Sequence, residues 1–415
     1  MKRILIIIAV IIVLLGVGGG VYFFFFSQKT GLAVTPSTNN FPNSTDDTST
    51  QVTPSNTQEL GVPVSGAGTE VAPRLIRISD RPVAVGANAL FVPGVVATSS
   101  RATTTGTTAY LVDPDVRISY IERESGNVYT FTAHGRTLTR TSNKTLPGIQ
   151  DAQWQPDGSR AFVRFLEKTG TDEHVSTFAL PSTGEGGYLL ENNLEQAFVT
   201  GSSTLITLFT SANGSSATIS NTLGTNIRTL FTSPLGALRL SSGGGLTVAT
   251  TKAGAKRDGY AFVVDTKSGA FTRILGPLSG LTTSVSPSGR YVLYSFLDRG
   301  VLSLAVFDMT ARSATRLPLA TLPEKCAWSS DGNSLFCGVP TSLGGQYPDD
   351  WYQGSTLSSD RLWRIDMANR VATQLIDPKT VANVDIDVIA PAVDATSDVL
   401  IFTNKRDKTF WMYDL

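Results

Sequence analysis

One turn recurs at nearly constant spacing through most of this chain, and that recurrence limits the fold more than any other feature. Asp115, Gly158, Gly201, Gly244, Gly289 and Gly332 follow one another at intervals of 43, 43, 43, 45 and 43 residues. A last copy near Asp394-Ala395-Thr396 comes later, after an insertion. Three copies are clearest: Trp154-Gln155-Pro156-Asp157-Gly158-Ser159-Arg160, Val285-Ser286-Pro287-Ser288-Gly289-Arg290 and Trp328-Ser329-Ser330-Asp331-Gly332-Asn333. In each, an apolar residue precedes a polar turn ending in Gly, and an apolar run follows. Gly supplies the positive φ that closes such a hairpin, while Pro or Asp starts it.

The segments between the turns are of strand type. Arg160-Ala161-Phe162-Val163-Arg164-Phe165, Leu205-Ile206-Thr207-Leu208-Phe209 and Tyr291-Val292-Leu293-Tyr294-Ser295-Phe296 alternate or run apolar over short lengths, without a helical stripe. A second register repeats with the first. Apolar runs end at Asp265, Asp308 and Asp366, and eight residues beyond each lies a further strand centred on Arg273, Arg316 or Gln374. A period near 43 built of strands is that of a four-stranded propeller blade. The reading is therefore an all-β, seven-bladed β-propeller over residues 73–415, with six or eight blades as alternatives. The sequence ends at Phe410-Trp411-Met412-Tyr413-Asp414-Leu415, one residue past the equivalent aspartate, Asp414, so the final blade lacks a fourth strand of its own. Arg74-Leu75-Ile76-Arg77-Ile78 has the missing pattern, and the ring is expected to close by its pairing with the C-terminal strand.

These turns resemble those of the TolB-type, WD-repeat-like β-propellers, whose blades carry a Trp-Ser-Pro-Asp-Gly-like turn before the second strand. The resemblance is specific at 154–160, 285–290 and 328–333 and poor at 198–203 and 241–246. It implies a binding surface around a central channel. The chain is also similar to the propeller half of prolyl-oligopeptidase-type enzymes, but no α/β-hydrolase domain follows, so the peptidase activity does not carry over.

Ahead of the propeller, Ile4 to Phe26 contains no charged residue and follows Lys2 and Arg3. As a helix it would span roughly 35 Å, enough for a bilayer core. Residues 1–26 therefore read as a single transmembrane helix with its N-terminus inside, by the positive-inside rule. A cleaved signal peptide is the competing reading. Residues 27–72, rich in Ser, Thr, Asn and Pro, read as a disordered linker. The propeller is then expected on the extracytoplasmic side of a cytoplasmic membrane.

Lys+Arg and Asp+Glu both number 34, and no basic run is present. A nucleic-acid partner is not expected from such a balance. His134 and His174 lack the spacing of a metal pair, and no G-x-S-x-G elbow, phosphate loop, H-E-x-x-H or EF-hand pattern occurs. No catalytic residue, metal or cofactor is assigned.

The most distinctive loop is the insertion from Pro340 to Asp360. Tyr347, Asp349, Asp350, Trp351 and Tyr352 within it form the candidate ligand-binding set. Aromatics offer stacking area and the acids offer acceptors for a sugar, a basic peptide or a cation. The plain alternative is that Trp351 and Tyr352 pack over a neighbouring blade. A second insertion, Pro93 to Thr108, reads as a mobile Thr/Ser-rich loop, and Asp385 and Asp387 as an exposed strand face. If the turn after Trp328 pairs Ser329 with Ser334, Cys326 faces Cys337 and a disulfide is within reach. Two free buried thiols are the alternative. The expected function is a binding or scaffold module for a protein or an envelope polymer. An envelope hydrolase or lyase with a site at the channel mouth is the alternative.

Overall fold

The computed structural model describes residues 73–99, 108–200 and 204–415. Within them the chain builds seven four-stranded antiparallel sheets, so the seven-bladed count holds. The blades occupy residues 88–140, 149–189, 194–233, 238–279, 282–316, 326–376 and, for blade 7, 388–414 together with 75–79. The first strands of successive blades stand side by side around the axis. Asn88–Val92 of blade 1 stands beside Val388–Val393 of blade 7, which completes the ring.

Why the strands run apolar instead of strictly alternating follows from the packing. Seven apolar clusters fill the gaps between neighbouring blades, one to each gap, so every sheet is covered on both faces. In Tyr291–Asp298 of blade 5, Val292 and Tyr294 enter the gap toward blade 4, while Leu293 enters the gap toward blade 6. Each fully buried aliphatic side chain of this kind contributes about 1.5–3 kcal/mol.

Ring closure is as the sequence implies. Leu75–Ser79 is the outer strand of blade 7, pairing Leu75 with Tyr413, Ile76 with Met412 and Arg77 with Trp411. Arg74 secures the seam, its guanidinium donating to the Asp414 carbonyl at 2.7 and 3.0 Å.

The repeated turns also take the expected form. Gly158, Gly289 and Gly332 sit at φ of 69°, 71° and 72°, each closing the hairpin between the first and second strands of its blade. Gly201 lies outside the described residues. In blade 7, Ser397 adopts φ 62° and donates its N–H to the Asp394 carbonyl, taking the position that Gly fills elsewhere. Blade 1 departs further. Asp115 opens the second strand, and its connection from the first carries an extra antiparallel pair, Val95–Ser99 with Thr108–Val112. The Pro93–Thr108 insertion is thus a hairpin stem and not only a loop, because Val95-Val96 and Tyr110-Leu111-Val112 supply strand formers at both ends. The recurrent aspartates have a local cause. Asp265 accepts the N–H groups of Lys267 and Ser268, and Asp308 and Asp366 cap the same turn in their blades. These bonds hold all three carboxyls below the usual carboxylate range, led by the backbone N–H of Ser268, Ala311 and Asn369.

Among the described residues no helix is long and apolar enough to cross a membrane; the expected span, residues 4–26, lies outside them. The linker expected over 27–72 lies outside them as well.

Candidate functional site

The Pro340–Asp360 insertion joins the second strand of blade 6, Ser334–Pro340, to its third, Asp360–Asp366. It carries one short helix, α1 (Asp349–Gln353), ended by Gly354 at φ 76°. This segment leans inward over the neighbouring blades. Asp349 Oδ2 accepts the backbone N–H of Ala255 in blade 4 at 2.6 Å, and Asp350 Oδ2 accepts that of Gln346 at 2.7 Å. Both expected ligand carboxylates therefore pin the loop. Tyr347 and Trp351 are 4% and 1% exposed and pack with Leu302 and Leu322. Burial pushes the Tyr347 phenol up to about 12. Tyr352 turns its side chain to Glu324 and Arg239. Its hydroxyl bonds the Glu324 carboxylate, and the Arg239 guanidinium lies 4.7 Å from its ring centre. Burial and Glu324 raise its phenol well above the usual value.

Behind the helix is a buried charge cluster that the sequence reading did not assemble. Lys325, Asp360 and Asp387 are all fully buried, and the Lys325 ammonium lies 2.5 Å from each carboxylate. It also donates to Ser358 Oγ at 2.8 Å. Asp387 accepts the Trp351 indole N–H at 2.9 Å and the Ser358 backbone N–H at 3.1 Å. One cation serves two acids, and their surroundings divide them. Burial pushes Asp360 above the usual carboxylate range despite Lys325. For Asp387 burial acts the same way, but Lys325 and the Trp351 N–H outweigh it and leave the carboxyl lowered. The expectation of an exposed Asp385–Asp387 face is corrected here. Asp385 lies outward, paired with Lys379 at 2.9 Å, while Asp387 is buried because Lys325, 62 positions away, neutralises it. The one local signal was a lone lysine directly before the buried strand Cys326–Trp328.

Together the helix and the blades enclose a cavity of about 540 Å³ at the end of the channel where the first strands begin. Its wall comes from the first strands of blades 2, 3, 4 and 7, from Arg164 on the second strand of blade 2, from Glu324, and from the turn holding Lys405. Trp351 and Tyr352 form its roof. Several wall groups are already occupied. Gln196 clamps blade 3 to blade 4 by accepting from Leu240 N–H at 2.7 Å and donating to Leu240 O at 3.2 Å. Lys405 donates to the Trp351 carbonyl and lies 4.1 Å above its ring. Desolvation lowers that ammonium to about 8, against the pull of Asp387. Burial raises the Asp151 carboxyl, with Arg164 offsetting it.

Cys326 and Cys337 are cross-strand partners with Cα atoms 4.1 Å apart, and their sulfurs are joined in a disulfide. His174 lies within the strand Asp172–Pro181 opposite Glu167, not in a loop, and His134 sits in an exposed turn beside Asp115. Among the described residues no group of three or more metal-ligating side chains occurs.

No protein-family model and no curated protein sequence matches the chain. Solved structures do. An oligogalacturonate lyase from Vibrio parahaemolyticus is 9% identical with a TM-score of 0.50, spanning 79% of this chain and 98% of that one. TolB from Acinetobacter baumannii is 10% identical with a TM-score of 0.43, spanning 68% and 80%. The Cps50 (Swd1) propeller domain of Myceliophteria thermophila is 9% identical with a TM-score of 0.46, spanning 72% and 93%. At such identities the likeness concerns the fold alone.

Proposed function

We propose that this chain is a membrane-tethered, extracytoplasmic propeller that works by binding, with the lidded channel mouth as the seat for a protein or envelope-polymer partner. The supporting observation is the roofed cavity itself. The insertion between the second and third strands of blade 6 is held over the channel by bonds to blades 4 and 7 and to Glu324, leaving a space of about 540 Å³ beneath it. Pockets of that size suit a small ligand or one terminal group of a larger one. Leu75 pairs with Tyr413, at the end of its strand away from Lys405, so the described chain begins on the face opposite the lid.

The test is capture by the full chain in detergent, with envelope protein and envelope polymer offered separately to wild type and Tyr352→Ala. Equal capture by both would sink the role of the mouth. Labelling of an introduced propeller cysteine in intact cells tests the orientation, and labelling only after lysis would refute it.

A hydrolase or lyase is the second reading. It is favoured by Lys405, an amine in the cavity held to about 8 and so able to exchange a proton near neutral pH. Turnover of an envelope polysaccharide that is abolished in Lys405→Met would replace the first reading with this one.

A further inference from the structure

The polar groups of the cavity divide sharply into those that are committed and those that are not. Gln153 donates to Asp151, Glu324 accepts from Tyr352, Gln196 holds Leu240, and Lys405 holds the Trp351 carbonyl. What remains is mostly donors. Arg239 lies over Tyr352 and, among the described residues, its side chain makes no ion pair or hydrogen bond. Ser241 Oγ and Arg164 Nε are buried without a partner, although Arg164 also donates to the Leu194 carbonyl through Nη2 at 3.0 Å. Arg239 and Ser241 are two apart on one strand of blade 4, so their side chains leave the same face. Acceptors stay free as well, among them Gln153 Oε1 and the exposed Glu195 on the adjoining blade 3.

We infer that the channel mouth is a seat for an acidic sugar, whose carboxylate is held by Arg239 with Ser241 and Arg164 and whose hydroxyls reach Glu195. A guanidinium stacked on an aromatic ring keeps its N–H edge free and flat, the geometry that grips a planar carboxylate in two places. Buried donors without partners are costly to leave so, and a ligand rich in acceptors would satisfy them. Asp151 lies beside Arg164, whose charge offsets it, and the Tyr352 hydroxyl occupies Glu324. The free Glu195 disfavours a purely anionic ligand such as phosphate and calls for one that brings hydroxyl donors beside its charge. The inference rests on the reading of the mouth as a binding seat and gives that seat its ligand class.

The test titrates the full chain in detergent with D-glucuronate, glucose, glucuronamide and the dipeptide glycylglycine, read by tryptophan fluorescence and by thermal shift. The expected result is saturable binding of glucuronate and none of glucose or glucuronamide at the same concentration. Affinity should fall by about tenfold or more in Arg239→Gln, the loss of a charge-assisted pair, and by less in Ser241→Ala. Arg299→Gln, on an exposed turn of blade 5, should bind like wild type, and matching melting temperatures would show that the variants fold. Equal binding of glucuronate and glucose overturns the inference while leaving a binding seat. Binding of glycylglycine but not glucuronate transfers the seat to peptide ends and overturns it too. No response to any acidic probe also overturns it, whereas loss of partner capture in Tyr352→Ala would show independently that the mouth still binds.

Discussion

The indole N–H of Trp351 donates to the Asp387 carboxylate across 2.9 Å, and this bond fastens the blade 6 insertion to blade 7. It also makes Asp387 the point where lid, blade 6 and blade 7 meet, because the same carboxylate takes the Lys325 ammonium and the Ser358 N–H.

Removing Asp387 should therefore loosen the lid and weaken the fold together. Breaking one partner of a buried ion cluster costs about 3–5 kcal/mol, since the remaining charge is left without compensation. Asp387→Ala is expected to lose that much in urea denaturation. Its Trp351 should also become open to acrylamide quenching, judged against a Trp351→Phe reference. A loss below about 1 kcal/mol would mean that Lys325 and Asp360 suffice alone.

Lys405 gives the site a dependence on pH. Its ammonium titrates near 10.5 in the unfolded chain and about 8 in the folded one, because burial disfavours the charge. Between those values the folded chain binds fewer protons, so stability rises with pH across that window and this contribution is flat below it. The groups that set the shift, Asp387, Lys408 and Lys325, are shared with a Lys405→Met variant. The stability of wild type relative to that variant should climb from pH 8 to 10.5. A constant difference would remove Lys405 as the titrating group.

How far the sequence carried the fold depends on the reach of each cause. The turn at Gly289, the capping Asp308 and the strand Tyr291–Asp298 are set by neighbours within a few residues, and each was legible. Closure by Ile76 was legible too, because a strand was missing at one end and spare at the other. The site was not. Lys325 meets Asp360 and Asp387 from 35 and 62 positions away, and Arg239 meets Tyr352 across 113 positions, so no local pattern marks them. The aromatic loop was found by composition, yet only packing decides that Trp351 meets Asp387 while Tyr352 meets Glu324 and Arg239.

Ser397 tests the turn logic directly. It holds φ 62° where blades 2, 5 and 6 use Gly, a conformation that costs an L-residue roughly 1–2 kcal/mol. Ser397→Gly should stabilise by about 0.5–1 kcal/mol after the added freedom of Gly in the unfolded chain is deducted. Gly289→Ala should do the reverse, and more severely, since its Cβ would meet the Gly243 carbonyl at 2.7 Å. Thermal melts that rank the two variants the other way would break the equivalence of the positions.

The disulfide lies across the first two strands of blade 6 and closes a loop of separation 11. Loop-closure entropy for that length corresponds to about 2–3 kcal/mol. The variant Cys326→Ser with Cys337→Ser should lose that amount, and wild type under reductant should lose as much. Free thiols detected on the exported protein would show that the bond does not form in place.

Ring closure is the last expectation, and it concerns assembly as well as stability. Ile76 is 8% exposed and enters the gap between blades 7 and 1, while its neighbour Leu75 enters the gap between blades 6 and 7. A carboxylate in place of Ile76 would be buried without a partner, so Ile76→Asp should cost about 3 kcal/mol or more. The strand would then detach before the ring unfolds and expose the edge of Phe410–Asp414, an open row of donors and acceptors. Such an edge recruits a second chain, and light scattering should show a larger mass for the variant than for wild type. Arg77→Ala, which removes only a surface pair with Asp80, should change neither melting nor mass by a measurable amount. If Ile76→Asp stays monomeric and melts like wild type, the first strand is not what closes the ring.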